Sequence, residues 1–136
     1  MPTTIGKAFR FEAAHRLASL GPEHKCSRPH GHSYRVEIAL TRAELVPPGF
    51  VTDFGDLAPF GRYLSEELDH RDLTETLPFE PTCELLARHL AQWFIANLEP
   101  DIPGRLRSVR VSETASTWAQ YDVEERDGGR APADRR

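Results

Sequence analysis

Between Ser33 and Thr41 the apolar residues Tyr34, Val36, Ile38 and Leu40 alternate with Ser33, Arg35, Glu37 and Thr41. This period of two predicts a strand with one buried face. His32 and His30 continue the buried row backwards. Upstream, Phe9, Phe11 and Ala13 alternate with Arg10, Glu12 and Ala14, and that inward row runs into His15. An antiparallel pairing through the loop of residues 16–29 sets the end of the first strand beside the start of the second. The three imidazoles then meet at one sheet edge.

The period changes further along. After the turn-rich stretch VPPGFVTDFGDLAPF, the residues Leu57, Phe60, Leu64 and Leu68 recur at helical spacing, which predicts an amphipathic helix ending near Asp69 and His70. Pro59 is compatible with it because it falls in the first turn. Thr82, following Pro81, is the expected N-cap of a second helix whose buried stripe is Leu86, Leu90, Trp93 and Phe94, with Pro100 and Pro103 marking its end. Val109 and Val111 alternate with Ser108, Arg110 and Ser112, and a last strand is expected around Trp118 to Val123. The order ββααββ predicts an α+β fold, a four-stranded antiparallel sheet with both helices on one face. Residues 1–124 read as a single domain. The charged, Gly- and Pro-containing stretch 125–136 reads as a disordered tail.

Composition narrows the class. A chain of 136 residues with 39% apolar content supports one domain with a modest core, so a substrate cavity is expected to draw on a neighbouring subunit. The net charge of −4 and pI near 5.9 argue against non-specific nucleic-acid binding. No apolar run approaches the roughly 20 residues of a membrane span and no signal pattern opens the chain, so a cytoplasmic location is expected. Cys26 and Cys83 are too few for a disulfide framework. Cys83 reads as a small buried residue.

The chemistry concentrates in HKCSRPHGH and FRFEAAHRL. His15, His30 and His32 form a ligand set suited to a catalytic zinc with an open fourth position, and Gly31 lets the backbone lie close to it. Cys26 then serves as base or nucleophile; as a fourth ligand it would instead close a structural site. The competing reading is three ordinary hydrogen-bonded histidines at strand ends. Glu113 shares the parity of Val109 and Val111, so its carboxylate points inward. There it either pairs with a cation or accepts from adjacent N–H donors, such as the amino-pyrimidinone edge of a pterin or guanine. Asp69 and His70 form either an acid–base unit or a helix C-cap. Arg16, Lys25 and Arg28 flank the metal loop and are either contacts for a phosphorylated small substrate or a solvated face. His24 and His89 join no pattern and read as surface or packing residues.

Taken in order, FEAAHRL, HKCSRPHGHSY, VTDFGDL, LDHRDL, PTCELLA and SETAS resemble the 6-carboxy-tetrahydropterin synthases of the wider 6-pyruvoyl-tetrahydropterin synthase family, from about Phe9 to Tyr121. The Cys-x3-His-Gly-His spacing resembles the carboxy branch more than the pyruvoyl branch, whose cysteine usually stands further upstream. Leu85 after Glu84 departs from the polar residue many members carry there. The resemblance implies a tunnelling fold whose sheets join into a barrel on oligomerisation, commonly a homohexamer of two trimers with active sites between chains. It implies Zn2+ held by His15, His30 and His32, proton transfer by Cys26, Asp69 and His70, and a pterin anchored by Glu113. The implied reaction converts 7,8-dihydroneopterin triphosphate to 6-carboxy-5,6,7,8-tetrahydropterin with release of triphosphate and acetaldehyde, toward 7-deazapurines such as queuosine. The alternatives are a pyruvoyl-type elimination and a non-catalytic module whose structural zinc site is closed by the cysteine and the three histidines.

Overall fold

The computed structural model describes residues 1–124; the expected tail, 125–136, lies outside them. The two alternating stretches form the long strands β1 (Thr3–His15) and β2 (His30–Arg42). They pair antiparallel in continuous register from Thr3↔Arg42 to His15↔His30. Phe11 therefore faces Tyr34 and Ala13 faces His32. One side of the ladder carries the core residues Phe11, Ala13, Tyr34, Val36, Ile38 and Leu40, all buried. The other side carries Arg10, Glu12, Ser33, Arg35 and Glu37.

The first predicted helix is a composite. A 3-10 turn at Phe54–Leu57, capped by Asp53 accepting from the Gly55 N–H, leads into α1 (Ala58–Tyr63) and then a π turn at Leu64–Leu68. The four expected apolar positions are all buried. The wide turn closes with the Asp69 N–H donating to the Leu64 carbonyl, 2.9 Å. His70 then adopts φ 60 and turns the chain into β3 (Arg71–Asp72), followed by the single turn α2 (Leu73–Thr76). The second predicted helix is α3 (Cys83–Asn97), with the Thr82 hydroxyl accepting from the Leu85 N–H. Leu86, Leu90 and Phe94 are buried as expected. Trp93 is only partly buried and stacks on Tyr63 with centroids 4.3 Å apart.

The strands β4 (Arg105–Ser112) and β5 (Trp118–Asp122) complete the sheet in the order β3-β1-β2-β4-β5. The four expected strands are antiparallel as read. The sheet is nevertheless five-stranded and mixed, because β3 adds to β1 in parallel at Ala13 and Ala14. A bulge opposite Ala39 and Leu40 shifts the β2–β4 register. Leu106 and Val109, three apart, thereby both reach the core. The helices pack on the apolar face, α3 lying against β4 and β5. The polar face stays open in the single chain.

Candidate metal centre

The strand ladder delivers the three histidines as parity predicts. Their ligand nitrogens all lie within 4.8 Å of one another, and among the described residues no other His, Cys, Asp or Glu joins the group. His15 is almost fully buried, at 1% exposure. Its Nδ1 donates to the Pro81 carbonyl at 2.8 Å, and His30 Nδ1 donates to the Arg28 carbonyl at 2.8 Å. A carbonyl oxygen only accepts, so both rings carry their proton on Nδ1 and present the Nε2 lone pair. Those two Nε2 atoms stand 3.0 Å apart. Two facing lone pairs repel unless a metal ion or a shared proton lies between them. Donor set, tautomers and burial all fit a metal ion bound through neutral imidazoles with outer carbonyl partners.

His32 completes the group, with ring centroids 4.9 Å from His15 and 5.0 Å from His30. Burial lowers its pKa, an effect opposed by the negative charge of Glu113. The Glu113 Oε1 lies 3.9 Å from His32 Nε2, so the inward parity of Glu113 holds. Tyr34, fully buried beneath the group, has its hydroxyl 3.2 Å from His15 Nδ1. Burial first and the Glu113 charge second push its phenol above the ordinary value. Cys83 is partly buried, donates its thiol to the Val111 carbonyl at 3.0 Å, and is pushed up to about 12, chiefly by burial. It is a neutral thiol at physiological pH.

The flanking groups fall into two sets. Asp69 and His70 do touch: His70 Nδ1 lies 2.9 Å from Asp69 Oδ2. Asp69 Oδ1 accepts from the Glu12 N–H at 2.8 Å. That backbone bond, followed by the His70 contact, lowers the Asp69 pKa. The His70 ring is 77% exposed and lines, with His32, a shallow concavity of about 530 Å³. Cys26 stands apart from the three-imidazole group. It lies half-buried on a 3-10 turn, Lys25–Ser27. Its N–H donates to His24 Nδ1 (3.0 Å) and its carbonyl accepts from the Leu17 N–H (2.7 Å). His24, expected to be a bystander, thus braces the thiol's turn. The loop is tied to the body by Ser19, whose N–H and hydroxyl donate to Glu80 at 2.9 and 2.6 Å. Arg16, Lys25 and Arg28 are not buried. Sequence reasoning missed Pro81 and Arg28 as partners of the ligand rings. Both act through the main-chain carbonyl that every residue carries, so the sequence holds no signal for them. Tyr34 was read only as core, although its place two residues after His32 on the inward row was a usable signal.

Fold and site together define an α+β protein of the tunnelling type, with an open sheet whose edge carries three imidazoles able to hold a metal. A family model for 6-pyruvoyl tetrahydropterin synthase matches residues 4–124. The 6-carboxy-5,6,7,8-tetrahydropterin synthase of Synechocystis sp. is 41% identical over 126 residues, covering 86% of this chain and 91% of that protein. Among solved structures, Caenorhabditis elegans 6-pyruvoyl tetrahydropterin synthase superposes with a TM-score of 0.78 at 25% identity, covering 91% and 97% of the two chains. An uncharacterized protein from Wolinella succinogenes gives 0.81 at 25% identity, covering 91% and 99%. The chain belongs to the 6-pyruvoyl tetrahydropterin synthase family.

Proposed function

We propose that the protein is a zinc-dependent 6-carboxy-5,6,7,8-tetrahydropterin synthase. It takes 7,8-dihydroneopterin triphosphate and water to 6-carboxy-tetrahydropterin, acetaldehyde and triphosphate, toward queuosine or another 7-deazapurine. The observation that carries this reading is the pair of Nε2 lone pairs opposed at 3.0 Å, each fixed by a carbonyl behind its ring. The carboxy name of the Synechocystis relative and the short spacing from Cys26 to His30 favour the carboxy product over the pyruvoyl one.

When bound to His15, His30 and His32, zinc supplies a Lewis acid that polarises side-chain oxygens of the substrate and acidifies the adjacent C–H. The protein's own groups do the rest. Glu113 accepts from the paired N–H donors of the pterin and sets its orientation beside His32. Asp69 holds the His70 ring through Nδ1, leaving Nε2 to take or give a proton. Cys26 acts as the thiolate base on the other side of the side chain. Cys26 and the Asp69–His70 pair serve sites formed between chains, in a hexamer built as two trimers. The edge geometry supports that assembly: β3 covers β1 only at Ala13 and Ala14, and β5 ends the sheet. Two strand edges are thus open to pairing with further copies.

Mass-spectrometric analysis of products from the zinc-loaded protein and 7,8-dihydroneopterin triphosphate tests the reading. A 6-carboxy product with acetaldehyde is expected. A 6-pyruvoyl product would replace the carboxy assignment, and unchanged substrate with zinc still bound would favour a binding module.

A further inference from the structure

The polar face of the sheet gathers three arginines into one groove. Arg10 and Arg35 are direct cross-strand partners in the β1–β2 register, a like-charge pairing that disfavours the sheet unless a negative group compensates it. Arg110 of β4 reaches the same groove, opposite Glu37 of β2 and Gln120 of β5. Its Nε donates to Gln120 Oε1 at 2.9 Å and its guanidinium stacks 3.8 Å from the ring centroid of Trp118, itself 56% exposed. The Gln120 bond and the Trp118 stack hold the Arg110 fork in place. Arg35 has Glu37 as partner at 2.9 Å. Among the described residues neither Arg10 nor Arg110 forms an ion pair.

The groove encloses about 500 Å³ and is also lined by Glu113, the carboxylate beside the metal centre. Ser33, whose hydroxyl donates to Glu12 at 2.6 Å, belongs both to this groove and to the concavity that holds His32 and His70. The two concavities therefore adjoin at Ser33, near the sheet end where Glu113 approaches His32. With Glu113 engaged by a pterin, Glu37 is the one acidic side chain left in the groove. Two cations without carboxylate partners among the described residues, Arg110 held and Arg10 exposed, on a chain of net charge −4, are a local feature and not a consequence of composition. Arg16, Lys25 and Arg28 line neither concavity.

We propose that this groove binds the polyphosphate chain of the substrate, with Arg10 and Arg110 as the main charge contacts and Arg35 as the third. The proposal rests on the pterin triphosphate reading above. Guanidinium forks match the paired oxygens of a phosphate chain, and an Arg already held by Gln120 and Trp118 loses little freedom on binding it.

Calorimetric titration of the zinc-loaded, full-length protein with inorganic triphosphate, and separately with unphosphorylated 7,8-dihydroneopterin, tests this. Arg10→Gln and Arg110→Gln are each expected to weaken triphosphate binding roughly tenfold or more and to leave dihydroneopterin binding unchanged. Arg88→Gln, which removes a like charge from the exposed side of α3, is expected to change neither. Unchanged triphosphate affinity in the Arg10→Gln/Arg110→Gln double variant overturns the proposal. So does an equal loss of both ligands, or wild-type protein that binds no triphosphate. Wild-type protein that binds triphosphate through these arginines but no dihydroneopterin leaves the groove standing and removes the pterin reading instead.

Discussion

His15 and His30 each commit Nδ1 to a carbonyl and turn Nε2 toward the other, so the two rings are aimed at one point where a cation fits. Cys26 lies outside the ligand group. Replacing it by Ala is expected to leave the zinc content of the purified protein unchanged while turnover is lost; a variant that loses its metal would make Cys26 a fourth ligand. A second histidine gives a pH dependence of stability. Burial lowers the His89 pKa below its ordinary 6.5, and the Tyr63 hydroxyl is 2.7 Å from its Nε2. The unfolded chain takes up that proton first as pH falls, so the contribution is complete above about pH 6.5 and is lost on descending toward the folded pKa. Urea midpoints measured between about pH 7.5 and 5.5 are expected to fall less in His89→Gln than in wild type. At this scale the grouping of the three imidazoles was legible because parity along a strand fixes which face each side chain takes. Their carbonyl partners were not, since a main-chain acceptor carries no side-chain letter, and neither was the bracing role of His24, which depends on a turn that no periodicity announces.

The elements were legible where they were long. Two thirteen-residue strands and a fifteen-residue helix repeat their period often enough to read. The two residues of β3 cannot show a period at all, and the π turn at Leu64–Leu68 keeps the apolar spacing of an α-helix while altering how it ends. That ending matters, because it passes the chain to His70 at φ 60, a conformation that costs a side-chain-bearing residue about 1–2 kcal/mol and that Gly adopts freely. A histidine kept there points to a use for its ring. His70→Gly is expected to be as stable as wild type or more so, by roughly 0.5–1 kcal/mol, and to lose turnover. A clear fall in its denaturation midpoint would mean that the ring serves folding.

For the whole molecule, one face of the sheet is covered by helices and the other is polar and open. The open face is the part the sequence described only as the polar half of each alternation. Its grouping of Arg10, Arg35 and Arg110 needs the register of three strands at once. Light scattering is expected to give a mass of six chains of 15.4 kDa, about 92 kDa, and a monomer mass would remove the inter-chain site. The three imidazoles sit on a continuous ladder, whereas the thiol sits on the loop of residues 16–29 that the ladder closes. The thiol's loop is thus largely separate from the strands that carry the imidazoles, and the Arg28 carbonyl behind His30 is the element they share. A graft that changes the loop from Leu17 to Ser27 but keeps Arg28 behind His30 would hold the three imidazoles and shift only the thiol, so under the proposed chemistry the group at the bond-breaking step is adjustable without rebuilding the metal centre.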